Sequence, residues 1–191
     1  MIYEAIISTL DAQGKPHVAP FGVRDENDLV VISPFKPSST LENILVTQCA
    51  TMNLTDDVRI FAGALTRHQS LNLTPTTHIQ GVRLANTLAH KELKLVKVQD
   101  DAIRPKLFFE VVCEAQHQIF QGFNRAQAAV IELAVLASRL HLLPRDKIEN
   151  EIKYLKIAID KTAGERELQA WGWLIEKIDN FYATQSGENL A

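Results

Sequence analysis

The chain has 191 residues, 46% hydrophobic and 23% charged, which suits one medium domain or two small ones with an ample buried core. Twenty basic against 23 acidic residues give a net charge of -3, which removes any bulk electrostatic case for nucleic acid or an anionic membrane. Eight glycines and seven prolines are ordinary and exclude collagen-like repeats or general disorder.

Residues 1–10 carry Glu4 and no basic segment, and their apolar run is too short for a secretory signal. The longest apolar stretch, 126–143, is broken by Gln127, Glu132, Ser138, Arg139 and His141, so no membrane span is expected. Cys49 and Cys113 lie far apart and read as reduced thiols of a cytoplasmic protein. The six histidines form no HxxxH pair, and no metal is expected.

The first half alternates short apolar runs with turn signals. Strands are predicted at 5–10, 17–23 and 29–33, joined by turns at 11–15, where Gly14 can take positive φ, and at 24–28. This is an antiparallel meander. Pro34 and Pro37 halt the third strand, and Ser39 with Glu42 has the form of a capping box opening a helix whose Leu41, Ile44 and Leu45 share a face. A strand follows at 51–54, then a short helix from 56–58 to Leu65. The polar stretch 66–78 reads as a mobile loop. Two more strands are predicted at 92–99 and 107–116, with 100–105 as their turn.

After Phe123 the period becomes helical. Asn124 caps a helix running to about residue 143, supported by Gln127. Pro144 starts a second, with Ile148, Ile152, Leu155 and Ile159 on one stripe. Thr162 and Glu165 form another capping box before a third helix striped by Leu168, Trp171, Ile175, Ile178 and Tyr182. The pattern predicts a barrel-like domain over 1–121 and a three-helix domain over 122–191.

The chemistry concentrates at SPFKPSSTLEN, residues 33–43, where hydroxyls and a lysine sit at a strand-to-helix turn. Free N–H groups at a helix start, hydroxyl donors and one cation make an anion pocket suited to phosphate. The alternative is that Ser39 only caps the helix and Lys36 is solvated. No Ser-His-Asp, Cys-His or P-loop spacing is present, so hydrolase chemistry has no support.

KPHVAPFGV at 15–23, this hydroxyl-rich turn, and NLTDD at 53–57 resemble the flavin reductase-like, FMN-binding split-barrel proteins, and within them the DUF447 family. GFNRA at 122–126, AVIE at 129–132, SRL at 138–140 and KTAG at 161–164 carry the likeness through the second half. The resemblance implies an α+β fold: a six-stranded antiparallel Greek-key split β-barrel with a C-terminal three-helix appendage. It also implies a homodimer holding FMN between subunits and acting on an unknown small molecule. In such barrels the flavin phosphate lies by the turn carrying Ser38, Ser39 and Thr40. Ser33, Pro34 and Phe35 would flank the ring, and Asn53 and Thr55 begin a segment that often hydrogen-bonds it. The turn lacks an arginine, so Lys36 or an arginine from elsewhere, Arg125 first, would meet the phosphate.

Arg125 opposes the dipole at its helix start, which points to a partner, a ligand phosphate or a carboxylate such as Glu132 or Glu165; the remaining reading is a solvated surface residue. Arg139 is expected to pair with a carboxylate, Glu132 first. His17 is structural or faces the flavin; His68 and His78 flank the polar loop; Trp171 fits the apolar stripe while Trp173, two residues on, is exposed. Two further readings share the fold. One is a flavin-binding or structural dimer without turnover, acting through its helices. The other is a barrel holding F420 or haem.

Overall fold

Alternating apolar residues with turns every few positions produce a barrel whose strands are β1 (Tyr3–Leu10), β2 (Pro16–Glu26), β3 (Leu29–Ile32) and β4 (Cys49–Leu54). The computed structural model describes residues 1–68 and 71–188, without the side chains of 186–188. Asn27 and Asp28, with φ of 53° and 63°, make the two-residue turn between β2 and β3, whose handedness matches the twist of the paired strands. Then β4 returns to lie beside β1, pairing Met52 with Ile7, which gives Greek-key order.

After the hairpin of β5 (Leu73–Pro75) and β6 (Val82–Leu84), strands β7 (Ala89–Gln99) and β8 (Lys106–Gln116) complete the barrel in the order β1-β2-β3-β8-β7-β4. The six-stranded antiparallel barrel expected from the sequence is present. Ile7, Ile32, Leu93, Leu107 and Phe109 fill it, and α1 (Ser39–Thr47) adds Leu41 and Ile44 to the same core. The cap of α1 is Ser38, not Ser39: the Ser38 hydroxyl accepts from the Leu41 N–H at 3.4 Å.

The stretch 66–78, expected as a loop, contains β5; Gln69 and Ser70 within it lie outside the described residues. Polar side chains hold this hairpin to the barrel. The Ser8 hydroxyl donates to the Val82 carbonyl at 2.6 Å, and the Asn53 carbonyl oxygen accepts from Leu84 N–H at 2.8 Å. Strands of three residues are too short to show a period, so the sequence hides them.

Contacts divide the chain into two units: Met1–Asp56 with Ser70–Phe120, and Asp57–Gln69 with Gln121–Ala191. The second contains α2 (Arg59–Thr66), α3 (Arg125–Ala137), α4 (Arg145–Thr162) and α5 (Glu165–Glu188). Thus α2, which a division at 121 places with the barrel, groups with the later helices. Val58, Ala62, Leu133, Ile148, Leu174 and Ile178 share their core.

Asn124 caps α3, accepting from Ala126 and Gln127 N–H at 2.8 and 3.3 Å. The helix stops at Ala137 rather than 143, and 138–142 close as turns. Thr162 does not cap α5; its hydroxyl accepts from Ala126 N–H at 3.1 Å and donates to the Ala158 carbonyl. At the start of α5 the Glu167 carboxylate accepts from Gly164 N–H instead, at 2.9 Å. Arg139 and Glu132 are both exposed and make no ion pair among the described residues; α3 ends at Ala137, between the two. Among the described residues no helix is long and apolar enough to cross a membrane.

Candidate functional site

Where β3 ends, Ile32 pairs with Leu107, so residues 33–40 emerge beside the β7–β8 turn. Ser33 and Pro34 are buried, and the Ser33 hydroxyl has no hydrogen-bond partner among the described residues. A buried hydroxyl without a partner is costly, which marks this position as one awaiting an acceptor or donor. Phe35 is 60% exposed. The Ser39 and Thr40 N–H groups open α1 and, by helix geometry, have no intrahelical acceptor. The Ser39 side chain is exposed; that of Thr40 is buried.

Lys36 is engaged: its ammonium pairs with Asp100 at 2.7 Å, and its N–H donates to the Ile103 carbonyl at 2.8 Å. The hydrogen bond from Lys36 holds the Asp100 carboxyl below the usual range. In the same turn Asp101 accepts from the N–H groups of Arg104 and Ile103 at 2.7 and 2.9 Å, which lower its pKa in turn. That Asx-type turn presents Arg104 to the 33–40 segment. Arg104 Nε donates to the Ser33 carbonyl at 2.9 Å, and its guanidinium lies 4.8 Å from the Phe35 ring centre. The arginine missing from the turn itself therefore arrives from 71 residues away in sequence. Sequence reasoning overlooked it because β3 and β8 become neighbours only through pairing.

Asn53 and Thr55 stand at the other end of the barrel, where β4 meets the start of β7 and Asn53 pairs with His90. The Asn53 amide is fully engaged within the fold, donating to the Ile6 carbonyl and Ser8 hydroxyl at 3.1 and 3.0 Å and accepting from Leu84. Thr55 is half-buried. Nearby, the buried Glu92 carboxylate accepts from the N–H groups of Thr77, His78 and Ile79 and from the Thr77 hydroxyl, at 2.7–3.1 Å. His90 Nε2 lies 3.4 Å from it, and His90 Nδ1 lies 2.9 Å from His117 Nε2. Burial, followed by the positive charge of Arg83 and by His90, lowers the His117 pKa. Ligand atoms of His78, Glu92 and Cys113 lie within 4.8 Å of one another, but both oxygens of Glu92 are already occupied by donors, a poor arrangement for a cation.

Arg125 belongs to the helical unit, is exposed, and makes no ion pair among the described residues, so neither Glu132 nor Glu165 holds it. His17 is half-buried on β2, and burial lowers its pKa. His68 stacks flat on Trp173, with centroids 4.9 Å apart, so Trp173 is half-buried rather than exposed. These two rings line an open cavity of about 480 Å³ in the helical unit, with Arg67, Lys177 and Phe181.

A family model described as the N-terminal domain of DUF447, a protein of unknown function, matches residues 3–118, and the corresponding C-terminal model matches 124–176. No curated protein sequence matches the chain. Among solved structures, an FMN-bound protein of Methanosarcina mazei, also matched to DUF447, superposes with a TM-score of 0.77 at 21% identity, covering 92% of this chain and 94% of that one. The 2-nitrobenzoate 2-nitroreductase of Pseudomonas fluorescens gives 0.54 at 24% identity, covering 60% and 64%. The flavoredoxin of Desulfovibrio vulgaris gives 0.51 at 14% identity, covering 61% and 70%. The fold is therefore that of flavin reductase-like barrels.

Proposed function

The chain belongs to the DUF447 family, and from that premise we propose that it is an FMN-binding flavoprotein acting as an oxidoreductase on a small molecule. The observation that carries this reading is the set of donors at 33–40: an unpartnered buried Ser33 hydroxyl and, in the same short segment, the open N–H groups of α1. Such a cluster fits a phosphate, whose charge is favoured at a helix start. Ser38, Ser39 and Thr40 would hold it through their backbone and, for Ser39, its exposed hydroxyl. The exposed Phe35 ring, backed by buried Pro34, offers an apolar shelf for the flavin rings.

Asn53 and Thr55, at the opposite end of the barrel, are assigned no contact with this ligand; the Asn53 amide fixes the end of β4 to β1 and to the β5–β6 hairpin. When bound, the flavin supplies the hydride chemistry; the chain's residues bind and orient it. Exposed Phe35 and Ile103 beside the site suit coverage by a second copy, so the working unit is a homodimer. Two free thiols, Cys49 and Cys113, agree with a cytoplasmic location.

Titration with FMN, followed by quenching of its fluorescence, tests the reading. The purified protein is expected to be yellow or to become so, and F420 or haem is expected to bind more weakly. Replacing Ser39 by Ala should weaken FMN by about 1.5–3 kcal/mol, the worth of a hydrogen bond to a charged group. Unchanged affinity would put the phosphate elsewhere. Reduction of the bound flavin by NADH or NADPH separates an oxidoreductase from a dimer that only carries flavin.

A further inference from the structure

We infer that Arg104 makes the site selective for a phosphorylated flavin over its unphosphorylated form. The inference rests on the flavin reading and adds which residue supplies the positive charge. Two cations approach the 33–40 turn, and the structure treats them differently. Lys36 is neutralised by Asp100 at 2.7 Å. Arg104 has no carboxylate partner among the described residues, and only its Nε is engaged, by the Ser33 carbonyl at 2.9 Å. Its Nη1 and Nη2 donors have no partner there.

The side chain is held in place on three sides. Asp101 fixes its backbone N–H at 2.7 Å, the Ser33 carbonyl fixes Nε, and the guanidinium carbon lies over the Phe35 ring, 4.8 Å from its centre. A guanidinium held by Nε keeps a free edge of two parallel N–H donors, the geometry that accepts two oxygens of a phosphate or carboxylate at once. The carbonyl that anchors it belongs to Ser33, whose own buried hydroxyl is unpartnered. A phosphate monoester at this turn thus finds a fixed cation anchored on Ser33, in the same short segment that runs into the start of α1 at Ser39. Riboflavin presents a neutral hydroxyl there and gains little from the charge. Asp101 is a positioning residue, acting on the ligand only through Arg104.

Binding of FMN and of riboflavin, measured separately by fluorescence titration, tests the inference with a readout independent of turnover. Wild-type protein is expected to prefer FMN, and Arg104→Gln to weaken FMN roughly 10- to 100-fold while riboflavin changes less than about twofold. Added salt should weaken FMN for the wild type and much less for the variant. Arg104→Lys keeps the charge without the fork and should retain part of the preference. Asp101→Ala should reduce the FMN preference without changing riboflavin affinity, and it serves if Arg104→Gln does not fold.

Equal weakening of both flavins by Arg104→Gln would make Arg104 a packing residue and overturn the inference, as would an unchanged preference in both Arg104→Gln and Asp101→Ala. Wild-type protein that binds neither flavin would overturn the flavin reading itself. A wild type that binds both equally would overturn the selectivity alone.

Discussion

Glu92→Gln is expected to destabilise the protein by about 3 kcal/mol and to loosen the 76–84 segment first. The carboxylate is fully buried and is the anchor for three consecutive backbone N–H groups, those of Thr77, His78 and Ile79. Burial by itself pushes its pKa up, but these donors and the Thr77 hydroxyl outweigh burial and hold it at about 2, against an ordinary 4.5. Glutamine keeps one acceptor oxygen and turns an NH2 toward donors, leaving at least one backbone N–H buried without a partner. Urea unfolding at neutral pH measures the loss, and hydrogen exchange at 77–79 locates it. A change within about 0.5 kcal/mol, the range of ordinary surface substitutions, would show that the loop holds without the carboxylate.

The same geometry fixes a pH dependence. A carboxyl whose pKa is depressed on folding contributes stability that is fully present above its unfolded value. That contribution disappears as pH falls from about 4.5 to about 2. The difference in stability between the wild type and Glu92→Gln should therefore shrink over that interval, by about 3 kcal/mol. A difference that is flat from neutral pH to about 2 would mean that Glu92 is not the group titrating.

Much of the barrel was legible because its long strands carry their own period: the apolar alternation of 5–10 and 107–116 needs only a core to bury against. The β5–β6 hairpin was not, since what holds it is side chains elsewhere, Ser8, Asn53 and Glu92, reaching out of the barrel to backbone groups. Capping shows the same boundary between local and nonlocal. Asn124 was legible because it satisfies the turn next to it. Thr162 was misread because its hydroxyl serves α3, 36 residues upstream. At the candidate site the hydroxyl turn could be read from 33–43 alone, whereas Arg104, and the pairing of Lys36 with Asp100, exist only once β3 and β8 are neighbours. The resemblance makes Asn53 a flavin contact, whereas its amide is occupied within the fold by Ile6, Ser8 and Leu84.

Deleting residues 124–191 is expected to yield aggregated protein, and the reason lies in α2 rather than in the barrel. The barrel has a complete core of its own in Ile7, Ile32, Leu93 and Phe109. However, α2 leaves the chain after β4 and cannot be removed by cutting at 124. Val58 and Ala62 are 1% and 0% exposed within the core shared with Leu133, Leu174 and Ile178, and Leu65 packs against that core. Truncation removes all of their partners and leaves an apolar helix face in water, with the consequences that a contiguous exposed patch carries. In the truncated chain, Ala62→Glu with Leu65→Lys should restore solubility, because the face no longer has an apolar partner to satisfy. In the full-length chain the same pair should destabilise by several kcal/mol, since Ala62 is 0% exposed and its replacement puts a carboxylate into that core. Size-exclusion chromatography of the four proteins reads both effects. A soluble, monodisperse truncation without the polar pair would show that the apolar face of α2 needs no cover.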